Sequence, residues 1–330
     1  MRVRVWGSAA AAVSVAALAL APGAVATSSP VSTKAVTEYG RVTFVPDGDT
    51  IDVKIDDVKP DAGRTGTRIR FVGLQAMEQH TYKVDLTQAT GECHALEATA
   101  RLREILGGER NDYRHRRTDG ARVMLSAKDS SSSSRNRELR MVSTKDALGD
   151  WQDVAITMLT DGMTLPFFNG VEYTHNKEYR VAARAAAAQN LGIWNPDSCP
   201  GNRPSPHAQL AMHVNWDAPG DDAKHLNGEY FRVTNTGTTT ASLSGWWVRD
   251  SSLRDFFHFP KGASIRPGQK VFVHVGKGLA KRSTNGNQHF YWGQTTPAFE
   301  NITGAPKYMG DGGYLFDTIG NLRAWEMYGH

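Results

Sequence analysis

Two short segments in the first third of the chain carry the residue types that hydrolysis of a phosphate diester requires. Asp47 and Asp49 flank a glycine in the first segment, and the second segment, 70–78, begins with Arg70 and ends with Glu78. In that reaction a metal neutralises the phosphate, a carboxylate activates water, and arginines stabilise the charge of the transition state. The two segments therefore predict a metal-dependent phosphodiesterase site.

The alternation of side chains around Arg70 predicts the direction in which this arginine points. Ile69 and Phe71 fall on one side of a strand, and Arg68 and Arg70 on the other. We expect Arg70 to project from the surface of a small barrel, where its guanidinium can give a phosphate two parallel hydrogen bonds. The alternative is a surface arginine paired with an acid.

The elements that position these residues lie before residue 200, where strand patterns alternate with helical ones. The predicted strands are 42–45, 51–55, 68–74, 122–127 and 138–143, and the predicted helices are 93–106, 151–161 and 176–189. Five strands with interposed and trailing helices indicate a five-stranded Greek-key barrel of the oligonucleotide-binding (OB) type, an α+β arrangement.

Four features, taken in order along the chain, resemble the thermonuclease family typified by staphylococcal nuclease. They are the Asp-Gly-Asp-Thr turn at 47–50, Arg70 with Glu78 eight residues later, Arg-Asn-Arg-Glu-Leu-Arg at 135–140, and Leu-Gly-Ile-Trp at 191–194. The resemblance covers residues from about 38 to 197 and implies a nuclease-like OB domain over 38–199. It also implies an endonuclease that hydrolyses DNA and RNA with little sugar specificity.

The resemblance implies a role for each catalytic candidate. Glu78 lies where the family has its general base, and its other interpretation is a solvated loop glutamate. Arg70 and Arg137 lie where the family has the two arginines that stabilise charge on the phosphoryl group. Arg135 is a weaker candidate for the second arginine. The predicted catalytic residues are therefore Arg70, Glu78 and Arg137.

The resemblance also implies a metal site, with one departure from the family pattern. Asp49 matches a direct ligand, and Asp47 matches an adjacent acid that orients the site. Gln75 stands where the family has a second aspartate, and Met77 stands for its usual proline. A glutamine carbonyl oxygen can bind calcium but adds no charge. The predicted metal residues are Asp49, Asp47 and Gln75, with Ca²⁺ as the expected ion and magnesium or manganese as alternatives.

The chain changes character after a proline-rich segment, 200–207, which we interpret as a linker. Beyond it the pattern predicts strands alone, at 209–214, 229–234, 241–248, 270–275, 288–292, 313–317 and 322–327. Seven short strands separated by turns indicate an all-β sandwich of immunoglobulin-like form over 208–330.

This second region resembles a lamin tail domain, a module of nuclear lamins that also occurs in exported bacterial enzymes. The resemblance lies in the segments 227–235, 243–248, 267–269 and 311–314. It implies a binding or localisation module whose ligand is nucleic acid, a cell-surface polymer or a protein, with a stabilising appendage as the alternative. The histidines of the region match no ordinary metal-ligand spacing.

The N-terminus and the cysteines predict export. Residues 1–26 combine Arg2 and Arg4 with an apolar run and a small-residue cleavage sequence, and 27–37 follow as an extension. The run is too short to span a bilayer, and we expect no transmembrane segment in the mature chain. Cys93 and Cys199 are the two cysteines, and an even number in a secreted protein predicts a disulfide.

The net charge does not by itself indicate a polyanionic partner. The formal charge is +4, and removal of the two arginines of the signal segment leaves +2. Basic clusters at 110–117 and 135–140 are compatible with a phosphate groove and equally with solvated loops. The sequence thus predicts a secreted nuclease with a lamin-tail-like module. The competing hypothesis is a non-catalytic extracellular protein that binds nucleic acid or a surface polymer.

Overall fold

The structure is a computed structural model, and it describes residues 34–56, 66–79, 91–107, 120–201, 209–252, 256–302 and 309–329. Residues 33–330 form one compact unit. The predicted signal segment, most of the linker and the basic cluster at 110–117 lie outside the described residues. Within the described ranges, no helix is long and apolar enough to cross a membrane.

The N-terminal region is a closed five-stranded β-barrel, as the sequence predicts. Its strands run in the order β3-β2-β1-β5-β7, and β7 closes the ring by pairing in parallel with β3. The short strands β6 and β8 each pair with β7 in antiparallel fashion. The strands β4 and β9 form a separate antiparallel pair. The strands are β1 (Val36–Asp47), β2 (Thr50–Ile55), β3 (Thr67–Phe71), β4 (Gly73–Gln75), β5 (Arg122–Ala127), β6 (Ser133–Ser134), β7 (Arg137–Lys145), β8 (Trp151–Asp153) and β9 (Leu165–Phe167). The helices are α1 (Ala95–Ile105), α2 (Val154–Thr160) and α3 (Asn176–Ala188), followed by a 3-10 turn at Gly192–Trp194.

Alternation along the strands fills the barrel, and the β1–β2 turn brings acidic residues to its edge. Val42, Ile69 and Leu125 are fully buried inside, as the two-residue period requires. The turn pairs Asp47 with Thr50 across a register shift in β1. A side chain at Gly48 would lie 2.7 Å from the Cβ of Ala98 in α1. A glycine is therefore needed for α1 to pack directly against the acidic turn.

The C-terminal region is an immunoglobulin-like assembly of β-sheets. One sheet has the order β10-β11-β16-β18-β17 and the other β14-β13-β19-β20, with β12 and β15 forming a separate pair. These strands are β10 (Leu210–Asn215), β11 (Tyr230–Asn235), β12 (Ala241–Ser242), β13 (Trp247–Arg249), β14 (Phe257–His258), β15 (Ser264–Ile265), β16 (Lys270–His274), β17 (Lys281–Arg282), β18 (Gln288–Tyr291), β19 (Gly310–Phe316) and β20 (Leu322–Gly329), with a 3-10 turn at Leu226–Gly228. The strand predicted over 241–248 is interrupted, because Gly245 adopts a positive φ of 76° in a turn between β12 and β13.

The two regions share one hydrophobic core. Tyr314 and Phe316 of β19, with Leu322 and Met327 of β20, belong to the same buried cluster as the barrel and helices α1–α3. The ring centroids of Trp194 and Trp325 lie 5.0 Å apart across the junction. The second region is therefore packed into the first, and the domain boundaries at 199 and 208 stay a prediction.

The predicted disulfide is confirmed and lies at this junction. Cys93, just before α1, is bonded to Cys199, with their Cα atoms 6.0 Å apart. The backbone N–H of Cys199 donates to Asn321 Oδ1 at 2.9 Å, in the turn between β19 and β20. The bond thus ties the start of α1, the end of the helical segment and the C-terminal sandwich together.

Candidate active site

The three predicted catalytic residues line one cavity of about 230 Å³ at the edge of the barrel. Arg70 comes from β3, Arg137 begins β7, and Glu78 follows β4. The parallel pairing of β3 with β7 sets Arg70 opposite Leu139, two residues from Arg137, so both guanidinium groups reach the same space. Gln75 and Arg135 also line the cavity, and so does Ser252 of the C-terminal region.

Arg70 is held in a closed network with Asp49 and Gln75. Its guanidinium makes an ion pair with Asp49 through Nη1 and donates to Gln75 Oε1 through Nη2, at 2.5 Å. Gln75 Nε2 donates in turn to Asp49 Oδ2 at 3.2 Å. The expectation that Arg70 lies open on the barrel surface is wrong, because Arg70 is only 6% exposed. Asp49 and Gln75 contact its guanidinium group, and the backbone of Ala76 is bonded to Asp49.

Asp49 accepts hydrogen bonds on both carboxylate oxygens in addition to the ion pair. Oδ1 accepts from the hydroxyl of Thr50 at 3.0 Å, and Oδ2 accepts from the backbone N–H of Ala76, also at 3.0 Å. Asp47 lies behind it, where its Oδ1 accepts from the backbone N–H of Asp49 at 3.2 Å. Burial and the negative charge of Asp49 raise the pKa of Asp47 to about 7.

Glu78 is half-buried and lines the same cavity as Arg70 and Gln75. Burial raises the pKa of its carboxyl group above the ordinary value of 4.5, and the charge of Asp49 raises it further, while Arg70 and Arg137 act in the opposite direction. Its backbone N–H donates to Glu92 Oε2 at 2.8 Å, which fixes the loop. A carboxylate of increased basicity beside two guanidinium groups is suited to take a proton from water next to a phosphate.

Arg137 is held by two hydrogen bonds to uncharged oxygen atoms. Nη1 donates to the hydroxyl of Thr50 at 3.2 Å, and Nε donates to the carbonyl oxygen of Ser134 at 3.4 Å. Burial and the positive charge of Arg70 lower the pKa of Arg137 from its ordinary value, although an arginine stays charged at neutral pH. Since Arg70 is paired with Asp49, Arg137 is the guanidinium group of this pair that remains available to an anionic group in the cavity.

The donor set as arranged does not fit a calcium ion. Both oxygens of Asp49 already accept from N–H or O–H groups, and Gln75 turns its NH₂ group, not its carbonyl oxygen, toward Asp49. Within the described ranges, three or more His, Cys, Asp or Glu ligands converge only at Cys93, His94 and Cys199, where the two sulfurs form the disulfide. The guanidinium group of Arg70 already neutralises the negative charge of Asp49. The calcium site therefore stays a prediction.

Replacing Gln75 by aspartate should create calcium binding. An aspartate cannot donate to Asp49, and its added negative charge opposes Asp49 until a cation enters. In calorimetric titration we expect Q75D to bind Ca²⁺ at least about tenfold more tightly than the natural chain. Gln189→Asp, on the exposed end of α3, is the matched control for an added charge. Equal, tight calcium binding by the natural chain and Q75D would show that Gln75 serves as a ligand as it stands.

The C-terminal region contacts the loop that carries Glu78. Arg249 of β13 is fully buried, with its guanidinium 5.5 to 5.7 Å from the ring centroids of Trp247, Phe256 and Phe316. Its Nη2 lies 3.7 Å from Sδ of Met77, the residue before Glu78. Burial lowers the pKa of Arg249 to about 10, so it remains charged at neutral pH. No motif in the sequence marks Arg249 or Ser252 as neighbours of the site, because they come from a region with no catalytic pattern.

Comparison with known proteins identifies the C-terminal region. Residues 212–330 match the model of the Lamin Tail Domain family. The resemblance predicted for this region is therefore confirmed, and the immunoglobulin-like sheets are those of a lamin tail domain. No curated protein matches the chain. The family match does not extend to the barrel, whose nuclease-like identity stays a proposal.

Proposed function

We propose that this protein is a secreted endonuclease that hydrolyses phosphodiester bonds of DNA and RNA with little sugar specificity. The observation that carries the proposal is the convergence of Glu78, Arg70 and Arg137 on one cavity beside the acidic turn. A protein that merely binds phosphate has no need of a basic carboxylate between two guanidinium groups. The OB-type barrel is a scaffold on which oligonucleotides bind, although the fold alone does not establish an activity.

In the proposed reaction Glu78 removes a proton from a water molecule that attacks phosphorus in line with the departing oxygen. The loop contact with Glu92 holds Glu78 at the mouth of the cavity, which fixes the position of the base before substrate binds. Arg137 stabilises the negative charge that grows on the phosphoryl oxygens. Arg70 contributes the same stabilisation once a phosphate oxygen replaces one of its partners, Asp49 or Gln75.

The proposed location and accessory role follow from the disulfide and the second region. A disulfide between Cys93 and Cys199 is suited to an oxidising compartment outside the cell. The lamin tail domain would serve as a binding or localisation module for nucleic acid or a surface polymer, in addition to its contacts with the barrel.

A second candidate function is non-catalytic binding of nucleic acid, and one observation favours it. The Asp49–Arg70–Gln75 network neutralises the arginine internally and leaves calcium without a ligand set. In such a barrel Arg137 still offers a positive charge to a phosphate in the cavity. The barrel would not hold the metal that the thermonuclease family uses. The two candidates differ in a single measurable property, the cleavage of bound nucleic acid.

The experiment is hydrolysis of denatured DNA and of RNA by the purified mature chain, with added calcium, with other divalent cations and with chelator. The proposal expects cleavage of both polymers into short fragments. Binding without cleavage under every cation would reject the enzyme and support the second candidate. Cleavage that persists in chelator would agree with the replacement of a metal charge by Arg70, and calcium-dependent cleavage would show that the network opens to admit the ion.

A further inference from the structure

The outer face of the five-stranded sheet in the lamin tail domain carries an array of aromatic rings. Strand register sets Phe272 of β16 beside His289 of β18, and His274 beside Tyr291. On the other side of β16, Tyr230 of β11 pairs with His274. Paired residues in neighbouring strands project from the same face, so these five rings form two adjacent rows.

The rings contact one another in a fixed arrangement. The planes of Phe272 and His289 are 3° from parallel with centroids 4.7 Å apart, and those of His274 and Tyr291 are 22° from parallel at 5.1 Å. His274 Nε2 and His289 Nδ1 are 3.1 Å apart, within hydrogen-bond distance across the rows. Tyr230 packs edge-on against Phe272 at 5.4 Å. Rings held by their neighbours lose little side-chain freedom when a ligand packs on them.

The hydrophobic core of the domain does not use these rings. The core face of the same strands is formed by residues that alternate with them and are buried, including Phe231, Val271, Val273 and Phe290. The five rings are instead partly exposed on the opposite face. Aromatic side chains gathered on an outer face are typical of a binding surface.

Cationic side chains accompany the array. Arg232 lies beside Phe272, and Lys281 of the edge strand β17 lies beside His289. Lys270 lies on the same face of β16, two residues before Phe272. The described strands β11, β16, β17 and β18 contain no aspartate or glutamate. Glu326 of the other sheet is paired with His213 of β10, where its Oε2 lies 3.3 Å from Nδ1 of the imidazole.

We propose that this face of the lamin tail domain binds single-stranded nucleic acid, with unpaired bases packing on the ring array and phosphates contacting Arg232, Lys270 and Lys281. Rings that accept any base, flanked by cations that follow the backbone, are the two components of sequence-tolerant single-strand binding. A neutral sugar polymer would use the rings alone and leave the cations without a function. The surface is distinct from the cavity at Glu78, and the proposal stands whether or not the barrel cleaves its ligand.

The test measures binding by fluorescence anisotropy of a labelled oligothymidine of about 15 nucleotides, a length that spans one such site. The full-length chain carries Glu78→Gln in every sample, so that hydrolysis does not affect the result. The combined Phe272→Ala and His289→Ala change should weaken binding at least about tenfold, because it removes two of the five rings against which bases pack. His258→Ala, on the exposed strand β14 of the other sheet, is the matched control and should bind as the parent does.

Two further measurements keep the outcome decisive. The combined Lys270→Gln and Lys281→Gln change should reduce the slope of log affinity against log salt concentration by about 1.4, since each lost phosphate contact contributes about 0.7. His289→Leu keeps a side chain of similar volume but removes the aromatic ring, so it should also weaken binding. This variant serves as the test if circular dichroism shows that the alanine variants are unfolded. Unchanged affinity in a folded ring variant would overturn the proposal. A neutral oligosaccharide such as cellohexaose, bound at this face in preference to oligothymidine, would overturn it equally.

Discussion

Replacing Glu78 by glutamine should lower kcat for hydrolysis of denatured DNA by about 10²–10⁴-fold, the usual contribution of a general base. The amide keeps the size of the side chain but cannot accept a proton from water. Binding of the substrate should change little, since the two arginines proposed to contact phosphate remain. Single-turnover cleavage together with anisotropy of an uncut oligonucleotide separates the two effects.

The same residue predicts the pH dependence of the rate. A general base acts in its ionised form, so the rate should rise with pH as Glu78 loses its proton. Burial and Asp49 raise the pKa of Glu78, so this rise should lie above the ordinary carboxyl value of 4.5, and it should disappear from the residual activity of the Glu78→Gln variant.

Glu97→Gln is the matched control for this substitution, because Glu97 is an exposed carboxylate in the first turn of α1, outside the cavity. Its variant should keep the natural rate and pH profile. Full activity of the Glu78→Gln variant would remove Glu78 from the mechanism and leave the two arginines as a phosphate-binding pair.

A chain that ends at Gly201 should fail to fold cooperatively. The truncation removes four side chains of the shared core that are 0–4% exposed, namely Tyr314, Phe316, Leu322 and Met327. Burying one such side chain contributes about 1.5–3 kcal/mol, so four contribute roughly 6–12 kcal/mol. Whole domains have a net unfolding free energy of only about 5–15 kcal/mol. Calorimetry and near-ultraviolet circular dichroism of the truncated chain should show no sharp transition.

The control for truncation is a full-length chain in which a Gly/Ser insertion lengthens the segment 202–208. A longer flexible connection costs little free energy, so this chain should unfold near the natural midpoint. If the truncated chain itself unfolds cooperatively at that midpoint and cleaves DNA as well as the full chain, the boundary at 199 marks an independent domain. The contacts with Tyr314 and its neighbours would then be dispensable.

The sequence by itself predicted several of the strands and the order of the candidate residues. Alternation placed strands over 51–55, 122–127 and 270–275, and the structure has β2, β5 and β16 there, because burial of one face imposes a two-residue period. The two cysteines allowed a single pairing, which the structure contains. The segments of the last third that resemble a lamin tail domain were enough to indicate that family, and the family match over 212–330 confirms it.

Only the tertiary structure decided what covers each face and which atoms meet. Alternation put Arg70 on the outer side of its strand, but Arg70 is buried in a network with Asp49 and Gln75, which alternation within β3 does not encode. The direction of the Gln75 amide follows from its two partners. Arg70 is a donor and bonds to the carbonyl oxygen, whereas Asp49 is an acceptor and bonds to the NH₂ group. Arg249 reaches Met77, 172 residues away in the chain, because the two regions bury their apolar surfaces against each other. Contacts of that separation arise from the packing of whole elements, which no periodicity within either element encodes.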